Sequence, residues 1–206
     1  MVDPRHVKTA HILVDYSTKV KKGERVRINT DPLSAPLAKE IYKLCIQRGA
    51  HPTVNCVLPG FTYDYYKYAS DEQLRKFPDI AMYEAKNTQV WISIGGDHNT
   101  RELSNVDHKK IALRRRTTNP LSEQIIGHTR WVGFDYPSNA LAQDAGMSLE
   151  EYENFVYGAV LLDWKKWSQR MKKLRDAMNK THTVRIVTPD TDLRMSITGR
   201  NAVIGA

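Results

Sequence analysis

The chain has 206 residues, of which 41% are hydrophobic and only two are cysteines. A chain of this length can bury a core without disulfides, so Cys45 and Cys56 are predicted to be reduced, buried thiols rather than parts of a disulfide framework. No stretch approaches the roughly 20 apolar residues of a membrane span, and the first residues lack the apolar core of a signal peptide. We therefore expect a soluble, cytoplasmic protein with no membrane partner.

The charge balance raises the hypothesis of nucleic-acid binding, because 31 basic residues against 23 acidic ones give a net charge of +8. Much of the excess lies in two predicted helices, residues 109–116 and 165–180, where basic residues alternate with apolar ones. This alternation favours a solvated helix face, so nucleic acid is not the expected partner. A nucleic-acid binder that uses these two helices stays open as an alternative.

The first part of the chain alternates predicted strands and helices. Ser34 before Pro36 is a helix-start signal, and Ser70 with Gln73 has the spacing of a capping box. The predicted elements are a helical or irregular lead-in over 6–20, a strand over 25–30, a helix from Ser34 to Gly49, a strand over 52–58, a tyrosine-rich loop over 61–68, a helix over 71–85 and a strand from Gln89.

That last strand is predicted to be central. It is a short apolar run, QVWISI, which stops at Gly95-Gly96 and a polar loop that ends at Thr100. A run of this length and composition is typical of a parallel strand covered on both faces. With right-handed crossovers, the order β-α-β-α-β predicts an α/β fold: a mostly parallel sheet of about four strands sandwiched by helices, with a crevice at the strand ends.

The second part begins with further helices and ends in a β unit. Ser148 with Glu151 forms another capping box, and a stripe of large apolar residues predicts a long amphipathic helix whose stripe packs in a core. The predicted elements are helices over 107–117 and 120–126, a strand over 130–134, a helix from Ser148, an amphipathic helix over 164–178 and a β-hairpin over 183–188 and 193–198.

The hairpin reads as the start of a second, truncated domain, because a two-stranded hairpin is marginally stable alone. We place the boundary near Asn179 to Thr183. The predicted domains are therefore an amino-terminal α/β domain over residues 1–180 and the opening of another domain over 181–206.

No complete catalytic constellation is visible. The run Gly95-Gly96-Asp97-His98 also occurs in arginase-like metallohydrolases, but the chain lacks the Asp-x-His-x-Asp segment that a two-metal site needs. No glycine-rich nucleotide fingerprint follows a predicted strand. A small-molecule or nucleotide binder that uses the Gly95–Thr100 loop remains an alternative.

The isolated candidate ligands lie on separate predicted elements. We therefore assign no catalytic, cofactor-binding or metal residue in this chain. The candidates considered are His98 in a loop, His108 near a helix start, His128 before a strand, and Asp190 and Asp192 in the hairpin turn.

The segment from Arg130 to Asp163 carries a family resemblance. Its sequence WVGFDYPSNALAQDAGMSLEEYENFVYGAVLLD, with the Ala-Gly-Met-Ser stretch, resembles the aminopeptidase T family of thermophilic-type metallo-aminopeptidases. The early DYSTKVKKGERVRI and RGAHPTV are similar to the amino-terminal strands of that family. The later VRIVTPDTDLRMSITGR resembles the start of its second domain, so the resemblance covers almost the whole chain.

The resemblance implies an aminopeptidase, leucine-preferring or broad, that acts on peptides as a cytoplasmic homodimer with two divalent metal ions, zinc, cobalt or magnesium. In that family the metal ligands lie in the carboxy-terminal domain, beyond the hairpin. This chain is therefore expected to bind no metal and to be catalytically incomplete by itself.

Overall fold

The structure is a computed structural model that describes residues 3–204. The chain divides into two compact units, Met1–Leu161 and Leu162–Ala206, and each is described by itself. This division falls earlier in the chain than the domain boundary expected near Asn179 to Thr183, which stays a prediction.

The first unit alternates helices and strands. Its described elements are α1 (Pro4–His11), which continues as a π-helical segment (Ile12–Ser17), β1 (Arg25–Thr30), α2 (Ala35–Gln47), β2 (His51–Cys56), α3 (Phe61–Tyr68), α4 (Asp71–Arg75), α5 (Asp79–Lys86), β3 (Val90–Gly95), α6 (His108–His128), β4 (Arg130–Asp135), α7 (Asn139–Asp144) and α8 (Leu149–Val160).

The predicted α/β fold is confirmed. The four strands described in the first unit are parallel, in the order β2-β1-β3-β4. Alternate residues of the central strands, such as Ile28 and Ile92, are fully buried against Leu37 and Ile41 of α2 and Tyr157 of α8. Strand order reverses between β1 and β3, so their carboxyl ends frame a crevice of the kind that parallel sheets use for ligands.

Two predictions between β2 and β3, one of a loop and one of a helix, were wrong. The tyrosine-rich segment is helix α3 rather than a loop. The helix predicted over 71–85 is two helices, α4 and α5, because Pro78 has no N–H and disfavours the helical conformation at Phe77. The capping box of Ser70 and Gln73 is confirmed at the start of α4.

Helix α6 corrects another prediction. The sequence predicts two helices separated at Asn119-Pro120, yet α6 runs through Pro120 and ends at His128. Proline removes one backbone hydrogen bond from a helix interior. Helix α6 packs against α4, α5 and β4, and we attribute its continuity through Pro120 to this packing. Helix α7 was not predicted, whereas the capping box of Ser148 and Glu151 does begin α8.

Two basic side chains of α6 have structural roles, which corrects the expectation of a purely solvated face. The Lys110 ammonium donates to the carbonyls of Tyr66 and Ala69, both 3.0 Å away, at the end of α3. The Arg114 guanidinium donates to the Lys76 carbonyl at 2.7 Å, at the end of α4. These bonds satisfy carbonyls that a helix end leaves unpaired.

The two cysteines differ in exposure. Both are free thiols, as predicted, but only Cys45 is buried. Burial raises the pKa of the Cys45 thiol to about 12, so it stays protonated. Cys56 is exposed because β2 is an edge strand, which corrects the prediction that both thiols are buried.

The second unit contains α9 (Trp164–Met178) and an antiparallel hairpin of β5 (Thr183–Thr188) and β6 (Thr191–Ser196). The helix and the hairpin are confirmed, although β6 starts two residues before the predicted strand. No described side chain of α9 is buried, and Leu174 is 62% exposed. The expectation that the apolar stripe packs in a core is therefore wrong for this unit. Between residues 3 and 204, no helix has the length and apolarity to cross a bilayer.

A buried histidine joins α1 to the end of β4 and to α8. His6 is 8% exposed, and its Nε2 lies 3.1 Å from the Tyr136 hydroxyl. Its ring centroid is 6.2 Å from that of Tyr157, over which the Arg5 guanidinium lies. Burial lowers the pKa of His6, although the carboxylates of Asp3, Glu153 and Glu40 oppose this shift.

We expect stability to fall as the pH drops below about 6.5, the pKa of an unfolded histidine. Below that pH, His6 is protonated in the unfolded chain but still neutral in the folded chain. The free energy of unfolding therefore decreases until the pH falls past the lowered pKa of His6 in the folded chain. Urea unfolding of His6→Gln between pH 7.5 and 5.5 should show a smaller pH slope than the parent. A His6→Gln slope equal to that of the parent would contradict this account.

Candidate functional site

The crevice at the carboxyl ends of β1, β2 and β3 is the candidate site of the first unit. It encloses about 280 Å³. It collects the predicted Gly95–Thr100 loop and the residues that follow β1 and β2. Its lining consists of Asn29 to Asp31, Val57 to Pro59, Thr62, Ile94 to Asn99 and Glu102.

Asp31 ties the two central strands together at this crevice. Its Oδ2 accepts a hydrogen bond from the Gly96 N–H at 2.5 Å, and its Oδ1 accepts one from the Ser34 N–H at 2.9 Å. The Ser34 hydroxyl lies 2.8 Å from that of Thr30 and makes no capping bond to α2, so its predicted side-chain capping role is corrected. Local sequence patterns indicated Ser34 and Gly96 but not Asp31. No local pattern marks a hydrogen bond between two residues that are 65 positions apart in the sequence.

The glycine pair allows close packing at the end of β3. A Cβ at Gly95 would lie 3.0 Å from Asp31 Oδ2, and one at Gly96 would lie 3.0 Å from the Tyr136 carbonyl oxygen. Both contacts are tighter than ordinary van der Waals distances. The glycines are therefore explained by the approach of neighbouring protein atoms, without a ligand phosphate.

The crevice is acidic. Its lining carries the carboxylates of Asp31, Asp97 and Glu102 and, among the described lining residues, no lysine or arginine. Glu102 Oε1 accepts a hydrogen bond from the Gly60 N–H at 3.0 Å, which holds this side chain just beyond the end of β2. The exposed side chains of Asp97 and His98 lie in the adjoining loop. Such a lining suits a cationic group and disfavours a phosphate.

The candidate metal ligands are not brought together. His98 lies in the crevice, whereas His108 and His128 are the first and last residues of α6. In the second unit, both Asp192 oxygens accept from the Arg185 guanidinium at 2.6 Å, which lowers the pKa of Asp192. Within residues 3–204, no group of three or more His, Cys, Asp or Glu side chains is placed to hold a metal ion. The described residues therefore do not fit a metal centre.

Comparison with solved structures finds a protein with a similar fold. Wild-type AmpT from Thermus thermophilus matches with a TM-score of 0.75 and 17% identity, over 94% of this chain and 53% of that chain. At this identity the likeness shows the fold alone, and the chain spans about half the length of AmpT. A LacI-family repressor from Corynebacterium glutamicum (14% identity, TM-score 0.38, 77% and 55% coverage) and the CurK enoyl reductase (12%, 0.31, 82% and 49%) are too dissimilar to carry an argument.

Comparison of the sequence gives the family. No curated protein matches the chain. The family model described as thermophilic metalloprotease (M29) matches residues 2–206. Since this match spans nearly the whole sequence and agrees with the resemblance carried by residues 130–163, the chain belongs to the thermophilic metalloprotease (M29) family.

Proposed function

We propose that this chain forms the amino-terminal α/β domain of a metal-dependent aminopeptidase that removes amino-terminal residues from peptides. The match of the family model to residues 2–206 carries the proposal. In the proposed arrangement, residues 1–180 are the α/β domain and 181–206 open the metal-binding catalytic domain. A preference for leucine or a broad specificity, two ions of zinc, cobalt or magnesium, a homodimer and a cytoplasmic location belong to the same proposal.

The metal ligands are proposed to lie outside these residues. Two observations support this: residues 3–204 contain no side-chain group that fits a metal, and the chain corresponds to 53% of AmpT. No step of peptide hydrolysis is therefore assigned to a residue of this chain. Its proposed contribution is to support the catalytic domain and to guide substrate.

The other candidate functions are less well supported by the site. A nucleotide at the Gly95–Thr100 loop would place phosphates beside three carboxylates, with no lysine or arginine in the described lining. A nucleic acid on α6 would compete for Lys110 and Arg114, which already bind the ends of α3 and α4.

We expect the purified 206-residue chain, supplied with zinc, cobalt or magnesium, not to cleave leucine p-nitroanilide above a metal-only blank. Metal-assisted hydrolysis needs an ion held by several deprotonated ligands with a position open for water or substrate, and the described residues do not supply such a set. The measurement is release of p-nitroaniline, followed at each metal concentration.

The positive control is the same chain joined to the carboxy-terminal metal-binding segment that the proposal requires, which should show metal-dependent turnover. Turnover by the 206-residue chain alone, abolished by His98→Ala, would instead place a catalytic site in the crevice. It would refute the proposal that the metal ligands lie outside this chain.

A further inference from the structure

The outer edge of β2 offers main-chain groups without a neighbouring strand. β2 is the end strand of the sheet and pairs only with β1 among the described residues. The N–H of His51 donates to the Glu24 carbonyl, just before β1, at 2.7 Å, and the N–H of Val57 donates to the Thr30 carbonyl, at the end of β1, at 2.8 Å. Because main-chain groups of alternate residues in a strand point to the same side, the odd-numbered residues between them face β1 as well. The main-chain groups of Val54 and Cys56 consequently face away from the sheet.

Apolar side chains accompany this edge. Val54 is 48% exposed, and Val57 and Leu58, which continue the strand, are exposed to nearly the same extent. Free main-chain groups flanked by exposed apolar side chains are the features that an extended peptide uses when it adds to a sheet.

β2 also leads directly into the acidic crevice. Val57, Leu58 and Pro59 line the crevice, and Glu102 is bonded to Gly60 just beyond them. A strand antiparallel to β2 would begin at this end, with its amino terminus in the crevice. A parallel strand would bring its carboxylate there instead, and Asp97 and Glu102 would repel it.

We propose that the outer edge of β2 binds an extended peptide as a fifth, antiparallel strand, with the amino-terminal ammonium of the peptide in the crevice beside Asp97 and Glu102. The choice of a peptide rests on the proposed aminopeptidase function. The site would hold substrate by its main chain and its amino terminus, which are common to peptides of different sequence.

A peptide fits this edge better than a second copy of the chain. Pro52 has no N–H, so one carbonyl opposite it stays without a donor in any added strand. In a symmetric pairing of two β2 edges about Val54, Pro52 of each copy would face Cys56 of the other, and two carbonyls would be left without donors. A peptide free of proline incurs this loss once, at the end far from the crevice.

The test is binding of the peptide LTVSVTG, labelled with fluorescein at its carboxyl end, to the 206-residue chain, followed by fluorescence anisotropy. Acetylation of the peptide amino terminus should weaken binding about fivefold, the value of one exposed charge pair. Val54→Pro should weaken it about tenfold by removing a main-chain donor, while the matched control Val54→Thr, which keeps the N–H, should bind as the parent does.

A second measurement leaves the protein unaltered. Two peptides are N-methylated on complementary sets of alternate residues, and only the set whose N–H groups face β2 should lose binding. No binding by a folded chain, equal loss with both sets, or binding unaffected by Val54→Pro in a variant that unfolds at the parental urea concentration would overturn the proposal. Dimerisation in sedimentation that Val54→Pro abolishes would assign the edge to a second copy. Each of these results leaves metal-dependent turnover of the joined protein untouched, so the two proposals fail separately.

Discussion

Replacing Asp31 by alanine is expected to lower the free energy of unfolding by about 3 kcal/mol. The substitution removes a carboxylate that accepts from the main-chain N–H groups of Gly96 and Ser34. Hydrogen bonds to a charged group contribute about 1.5–3 kcal/mol each, and part of this loss is recovered when water reaches the freed N–H groups. Urea unfolding followed by circular dichroism would measure the change.

The matched control is Asp97→Ala, in the same acidic crevice. The Asp97 side chain is exposed and holds no strand end, so its replacement should change stability by no more than about 0.5 kcal/mol. Equal effects of the two substitutions would show that Asp31 acts only through its contribution to the charge of the crevice.

The Gly96→Ala variant is expected to lose about 2 kcal/mol of stability, because overpacking a filled site typically costs 1–3 kcal/mol. The added Cβ would lie 3.0 Å from the Tyr136 carbonyl oxygen and 3.4 Å from side-chain atoms of Leu33 and Ser138. The nearest of these atoms is backbone, so relief of the contact requires the chain after β4 to move. The measurement is again the free energy of unfolding in urea.

Gly133→Ala is the control, since Gly133 lies in β4 and a Cβ at this position would meet no atom within 4 Å. It should leave stability unchanged or raise it by about 0.5 kcal/mol, because alanine restricts the unfolded chain more than glycine does. A loss in Gly133→Ala as large as in Gly96→Ala would mean that the contact with Tyr136 is not the cause.

Much of the sheet could be predicted from local patterns. β1 and β3 alternate buried and partly exposed residues, and the capping boxes at Ser70 and Ser148 begin helices as expected. These signals are local, since a strand face or a helix start is specified within a few residues.

The errors arose where distant parts of the chain decide the structure. α3 ends on the Lys110 ammonium, which lies more than 40 positions away in sequence. α6 continues through Pro120 and packs against α4, α5 and β4. Tertiary packing overrides local propensity in both cases.

The candidate site was predicted only in part. The loop Gly95–Thr100 was expected to line a crevice at the strand ends, and residues 95–99 do so. The acidic character of the crevice depends on Glu102 and Asp31, which come from different segments and show no motif. The family was recognisable because residues 130–163 carry a contiguous pattern.

The side chains of α6 that bind α3 and α4 also constrain the order in which the chain can acquire its structure during synthesis. Helices of eight and five residues are too short to persist alone in water. The ribosome releases them well before Lys110 and Arg114 emerge, at about 5–20 residues per second. For that interval the tyrosine-rich segment remains unfolded. The amino-terminal part of α6 must therefore be translated before α3 and α4 can be completed.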